Sequence, residues 1–285
     1  MQYSAGVASP SQNVLQLYEE GYRDFTGLSL RGIDLGSRIL VDVNFSNADL
    51  TGANFSRTFL TKANFTGATL NRANFQFAKI SDTCFASASL TKANLRGAFG
   101  IRANFSQVSM SGAQMEHVNL RAASLRAANC IGSNFMGANL RNADLTNGDF
   151  AWTNMNGVRL IGAAITHTKL THTRLENAFL NGLNFSGMSL SGVSFKASRI
   201  KGANFQRAEL TAANFEDASL QNSNFRMAQL AGVNFTDANL YRAKFTQSDL
   251  HRVNLTQIDL ESIELINTSP EETGLITNPS MVTAS

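Results

Sequence analysis

Residues 165–175, ITHTKLTHTRL, place His167 and His172 five positions apart, each between threonines. Two imidazoles can begin a metal site, but a tetrahedral protein site needs three or four ligands, and no third ligand is evident at a matching interval. The pair reads as surface histidine. The Thr-His-Thr triplets lie side by side, without the long repetition an ice-binding threonine ladder needs. Cys84 and Cys130, the two cysteines, are too few for a disulfide framework and fit a reducing compartment. The chain contains no phosphate-cradling glycine loop, nucleophile elbow or zinc-spaced Cys and His set. No catalytic residue, cofactor site or metal site is assigned, and the chain is expected not to be an enzyme. What remains able to do chemistry is a population of arginines, lysines and off-pattern aromatics, whose meaning depends on what positions them.

The positioning pattern has a period of five. From Phe25 to Leu265 every multiple of five is apolar except Gly100, in a chain whose hydrophobic share is 43%. Five is neither the helical nor the strand period, and a short fixed repeat marks a solenoid whose units bury their apolar faces only by stacking. The expected organisation is an N-terminal segment over 1–21, one repeat domain over 22–267, and a flexible tail over 268–285 containing Pro270 and Pro279. A net charge of +3 announces no polyelectrolyte partner from totals alone. No stretch approaches the ~20 apolar residues of a membrane span, and the opening residues lack a basic start followed by an apolar run, which predicts a cytoplasmic location. Asn-Phe-Ser/Thr triplets, as at Asn64 and Asn184, are generated by the repeat itself and carry no glycosylation signal.

Around each fifth residue, here called the centre, the position two before is usually small, as at Ala48, Ala53 and Ala203. The position just before is often Asn or Asp, as at Asp49, Asn54 and Asn204, side chains that hydrogen-bond nearby backbone in turns. The two positions after the centre are mostly polar, with frequent Gly in the second, and should face solvent. Segments ADLTG (48–52), ANFSR (53–57), ANFTG (63–67) and ANLRG (93–97) resemble the pentapeptide repeat family, A(D/N)LXX, over about 240 residues. The resemblance implies an all-β fold, a right-handed quadrilateral β-helix with four units per coil and about twelve coils, and a non-catalytic role in protein interaction. LYEEGYRDFTG (17–27) is similar to the opening of many cyanobacterial family members, which implies a bacterial regulatory setting.

Four units per coil would stack Phe185, Phe205, Phe225 and Phe245 in one column, and Phe195, Phe215 and Phe235 on the opposite wall. Twelve coils at ~4.8 Å make a rod of roughly 55 to 60 Å. Ser11 is expected to cap a helix over 11–20 that carries Val14, Leu15, Leu17 and Tyr18 on one face and covers the first coil. The far end is expected to stand open, where an uncovered edge could pair with a second copy into a homodimer. Gly100 predicts a bulge filled by Phe99 or Ile101, and Arg159, Ala164, Lys169, Arg174 and Phe179, which replace Asn or Asp, predict altered turns.

Residues twenty apart then share a stripe, which sorts charges onto faces. The face with centres Leu40, Leu60, Ile80 and on to Leu260 collects Arg38, Lys62, Lys79, Arg102, Arg121, Arg141, Arg159, Arg199, Lys201 and Arg242, offset in part by Asp42, Asp82, Asp259 and Glu261. It also holds Phe59, Phe99 and Phe179 in one edge stripe, with Tyr241 nearby. Aromatics interleaved with Arg and Lys are typical of recognition surfaces, so these residues form the expected docking face for a protein partner. The competing explanation is that the charge only keeps a rod soluble. The resemblance also implies that some relatives mimic duplex DNA and act on gyrase, but mimicry needs an acidic rod and this one carries Asn far more often than Asp. Binding of nucleic acid or an anionic surface by the basic face is the remaining alternative.

Overall fold

A computed structural model describes residues 10–255, 258 and 260–266. The chain winds as a quadrilateral β-helix. Residue pairs twenty apart form parallel bridges, from Asp24 with Asn44 at one end to Lys244 with Glu264 at the other. The four faces are named by their centres: face A from Phe25 and Phe45, face B from Leu30 and Leu50, face C from Leu35 and Phe55, face D from Leu40 and Leu60.

The geometry follows from the repeat grammar. Each centre points to the axis, and Leu35 through Phe245 on this register are almost wholly shielded. The small residue two before it also points inward, and its size lets successive coils approach to ladder distance. Where Thr or Ser replaces Ala there, the hydroxyl donates to a main-chain carbonyl: Thr58 Oγ1 to Leu35 O of the coil below at 2.8 Å and Thr83 Oγ1 to Leu60 O at 2.7 Å, while Ser198 and Ser248 turn to Phe195 O and Phe245 O of their own coil. No buried hydroxyl is thereby left unsatisfied at those positions. Asn or Asp just before the centre closes the corner: Asn64 Oδ1 accepts from the backbone N–H of Thr66 at 3.0 Å. The second residue after the centre takes a positive φ, 58° at Asn47 and 66° at Gly67, which explains the glycines there.

The phenylalanine columns form as expected. Phe185, Phe205 and Phe225 stack at 4.9 Å, Phe195 lies 4.7 Å from Phe215, and the two columns meet edge to face, as between Phe205 and Phe215 at 5.6 Å. A second such block runs from Phe45 to Phe85. Between the blocks the axis is filled largely by Leu, Met and Cys130, whose thiol burial pushes well above the ordinary range.

α1, Pro10–Glu19, covers the first coil. Val14 is buried, with Leu15 and Tyr18 packed against the core, while Leu17 is exposed rather than on the covering face. Ser11 is not the cap, because the helix already begins at Pro10; its Oγ instead accepts from the backbone N–H of Asp34 at 3.2 Å and ties the helix to the rod. The expected tail and most of the open far edge lie outside the described residues.

Gly100 produces no bulge. Its backbone N–H reaches Asn119 O at 2.8 Å and the bridges on both sides are intact. A methyl at Gly100 would stand 3.0 Å from both Ile80 and Leu120, so these neighbours, not Phe99 or Ile101, occupy the space.

The irregularity lies instead on the other sides of the rod. Bridges Arg159–Phe179 on face D and Arg174–Ser194 on face C are present, but none joins Ala164 to Asn184 on face A or Lys169 to Ser189 on face B. The corners keep their turns, with φ of 56° at both His167 and His172, so pairing between coils changes and turn geometry does not. The cause is visible two positions before the centres. From Val43 to Val253 this register is filled by Gly, Ala, Ser, Thr or Val except at Leu183 and Met188. Both are buried, and two consecutive large side chains in a slot sized for alanine hold the upper coil off the lower one along two adjacent faces. Ala163, directly beneath Leu183, is only partly buried.

Candidate functional site

Face D carries a vertical stripe of residues that immediately precede the centres. Ile39, Phe59, Lys79, Phe99, Asn119, Asn139, Arg159, Phe179 and Arg199 pair in that order, each with the next. Successive members are ~4.8 Å apart, so a cation between two aromatics touches both coils. Lys79 Nζ lies 5.3 Å from the Phe99 ring centre. The Phe179 ring is held between two guanidinium groups, Arg159 at 5.5 Å and Arg199 at 5.0 Å. Each such contact contributes about 0.5 to 1 kcal/mol at an exposed site and fixes side chains that would otherwise sweep through solvent. Phe59 remains 47% exposed and Phe99 38%, so both rings are open to a partner.

The other expected residues occupy the corner that follows this stripe. Lys62, Arg121, Lys201, Tyr241 and Arg242 are exposed there and Arg141 half-buried. Arg102 makes a two-pronged pair with Asp82, Nε to Oδ1 and Nη2 to Oδ2, both 2.8 Å. That hydrogen bonding holds the Asp82 carboxyl below its ordinary range. Of the ion pairs among the described residues, this is the only one that engages a basic residue of the expected face. Arg242 folds over its neighbour Tyr241, 5.0 Å from the ring centre. Arg38 stands in the inward register of the first coil, yet is exposed at the rod end where no coil lies beneath it.

The structure thus divides the expected face into clusters. Phe59, Lys79 and Phe99 form one, and Arg159, Phe179 and Arg199 another, with Phe99 and Phe179 separated by four coils or roughly 19 Å. The first cluster is larger than the sequence indicated. Ile39 at its end is 65% exposed, and Phe77, 47% exposed, lies on the corner just before the stripe with Arg57 6.0 Å over its ring. Phe77 was detectable as an off-register phenylalanine two residues before Lys79, but sorting by centres assigns it to face C. Its ring lies over the next coil at Gly97, where a Cβ would stand 2.5 Å from Phe77 Cε1.

The histidines do not converge. His172 packs against Trp152, ring centres 4.1 Å apart, on the corner between faces B and C, whereas His167 turns the corner between faces A and B. Among the described residues no three His, Cys, Asp or Glu side chains gather as metal ligands. Cys84 lies within 3.2 Å of Thr66 Oγ1 and accepts from Asn104 Nδ2 at 3.7 Å, a wall contact of its stripe. No helix among the described residues is long and apolar enough to cross a membrane.

Comparison with known proteins agrees with this architecture. The family model described as pentapeptide repeats (8 copies) matches residues 29–67, 48–85, 83–121, 123–162 and 159–196, and a second, described as a pentapeptide repeat region, matches 203–275. Among solved structures, HetL, a pentapeptide repeat protein involved in heterocyst differentiation regulation from the cyanobacterium Nostoc sp. strain PCC 7120, is 24% identical, with 84% of this chain and 94% of that one covered and a TM-score of 0.27. QnrB1, a plasmid-mediated fluoroquinolone resistance protein, is 17% identical over 72% of this chain and 91% of its own, with a TM-score of 0.31. Rfr23 from the cyanobacterium Cyanothece 51142 is 19% identical over 60% of this chain and 98% of its own, with a TM-score of 0.20. No curated protein matches the chain. With its five-residue register, its twenty-residue bridges and family matches over most of its length, the chain belongs to the pentapeptide repeat family.

Proposed function

We propose that this protein is a rigid, non-catalytic scaffold of the cytoplasm whose face D docks a protein partner. The observation that supports the reading is the ordered alternation of ring and cation along one wall, Phe59–Lys79–Phe99 and Arg159–Phe179–Arg199, on backbone that each coil holds in place. A partner that covers such a wall meets side chains already immobilised, so little further rotamer entropy is lost on binding. Rings framed by arginine are the composition that dominates binding energy at protein interfaces.

Charge favours a mixed protein interface over mimicry of DNA. The positions that would carry phosphate-like charge hold amides instead, laddered between coils, as where Asn224 Nδ2 donates to Asn204 Oδ1 at 3.1 Å and Asn234 Nδ2 to Asn214 Oδ1 at 3.1 Å. The test is a triple substitution, Phe59→Ser, Phe99→Ser and Phe179→Ser. Retention of the circular dichroism spectrum with loss of the protein that the parent chain captures from its native host is expected; unchanged capture would overturn the assignment of this face. Binding to duplex DNA that falls steeply between low and physiological salt would favour the nucleic-acid alternative.

A further inference from the structure

The seam on faces A and B is a cavity of about 540 Å³, on the side of the rod away from the stripe on face D. Its lower lip is formed by Thr166, His167 and Lys169, its upper lip by Asn184, Ser186 and Ser189, with the wedging Met188 at its back. At a regular corner closed by Asn or Asp, three consecutive backbone N–H groups are engaged. Phe65 donates to Cys84 O at 2.7 Å, Thr66 to Asn64 Oδ1 at 3.0 Å, and Gly67 to Ala86 O at 2.9 Å. At the seam the equivalent N–H groups of Ile165, Thr166 and His167 have no protein acceptor among the described residues, and neither do those of Leu170, Thr171 and His172.

Two separate features of the sequence free these donors. Leu183 and Met188 remove the carbonyls of the coil above. Ala164 and Lys169, standing where Asn or Asp usually sits, remove the side-chain acceptor that closes the corner from within. The turn itself is kept, with φ of 56° at His167 and the Thr168 N–H to Ile165 O bond at 3.1 Å, so the N–H groups of Ile165 and His167 still face the gap that the coil above would otherwise close. Open backbone N–H groups make charge-assisted hydrogen bonds to oxyanions, and here Lys169 and the hydroxyls of Thr166 and Ser186 border the same space. Lys169 also reaches the carboxylate of Asp149 on the coil below, at 3.6 Å, which leaves its ammonium between that carboxylate and the cavity mouth.

We propose that the seam is a binding site for a small oxyanion, the phosphate group of a metabolite or inorganic phosphate, held by the open backbone N–H groups of Ile165, Thr166 and His167 with Lys169 as its counter-ion. A cavity of this size admits a small molecule rather than a folded partner. The donors are main-chain groups, so recognition is by charge and oxygen geometry. The site is built by the wedge, and filling the inward register with alanine should abolish it without touching the residues that hold the anion.

The test follows backbone amides by NMR in the full chain at constant ionic strength. The probes are inorganic phosphate, glycerol phosphate and acetate, with chloride as reference. Saturable shifts at Ile165, Thr166 and His167 with the phosphate probes, weakened about tenfold in Lys169→Ala, are expected, since that variant removes one charge-assisted contact. In Leu183→Ala combined with Met188→Ala the coils should rejoin, the same amides should become protected from hydrogen exchange, and the shifts should vanish. Saturation by glycerol phosphate well below inorganic phosphate would identify a phosphate ester as the ligand, and the reverse the free ion. Equal response to chloride, absence of saturation, or unchanged binding in the closed variant would overturn the proposal.

Discussion

The coil pair that carries Phe205 and Phe225 and the pair that carries Ile165 and Phe185 obey the same rule at every centre, yet only the first is fully laddered. In the regular pair Asn224 N–H reaches Ala203 O at 2.9 Å and Phe205 N–H reaches Asn224 O at 2.7 Å. In the other pair the equivalent bonds at Asn184 and Ile165 are missing, although Ile165 itself is 4% exposed and Phe185 1%. Burial of the centre is therefore not what closes the wall. The residue two places earlier decides it, because that side chain occupies the gap between coils, and the gap accommodates a methyl or a hydroxymethyl but not a leucine.

The strongest challenge to the regular side of this contrast is Phe205→Asp. It would put a carboxylate on an axis where Phe185, Phe195, Phe215 and Phe225 rings lie 4.9 to 6.0 Å from that centroid. A buried unpaired charge combined with loss of a large ring should cost more than about 4 kcal/mol, seen as a lower midpoint in urea denaturation and early loss of the C-terminal coils in hydrogen exchange. Moving the wedge is more specific. Ala203→Leu with Ala208→Met should open a second seam one coil higher, at a cost of about 1 to 3 kcal/mol per substitution, and speed exchange at Phe185, Leu190, Asn204 and Glu209. If those amides stay protected, the size of the inward residue is not the cause of the natural seam.

The smallest effect concerns an intact corner. Asp49 accepts from the Thr51 hydroxyl at 2.6 Å, from the Thr51 N–H and from Arg31, which together hold its carboxyl down to about 2. A folded pKa below the ordinary 3.8 means stability that is present above that value and is lost as pH falls through about 2. Carbon-detected NMR titration of Asp49 should show a midpoint near 2, displaced upward in Thr51→Val, because the hydroxyl bond is the largest of the three contributions.

Much of the molecule was legible in the chain. The apolar fives, the small residues two before them and the corner Asn and Asp carry the wall, the axis and the turns, because each position repeats one environment many times. The Phe columns followed from two units of offset. Less legible was the site. Arg159, Phe179 and Arg199 share a stripe by arithmetic, but that two guanidinium groups clasp one ring depends on χ angles set by neighbours across coils. Phe77 is not singled out by the sequence, because it stands on the corner before the stripe and its ring lies over Gly97 of the next coil, a contact between positions twenty apart. Ser11 illustrates the same limit, since its hydroxyl is committed to Asp34, a residue 23 positions away, and not to its own helix.

The sequence by itself determined a solenoid with every centre turned inward, since a five-residue register with a small inward partner can bury its apolar faces only by stacking, while the count of four walls came with the resemblance to the pentapeptide repeat family. Only the tertiary structure decided where the wall stays open. The absence of Asn or Asp at Ala164 and Lys169 was visible in the chain and pointed to a changed turn. The turn survived, and the ladder above it was lost, because Leu183 and Met188 act on the coil twenty residues earlier through a distance that no local reading of either segment contains.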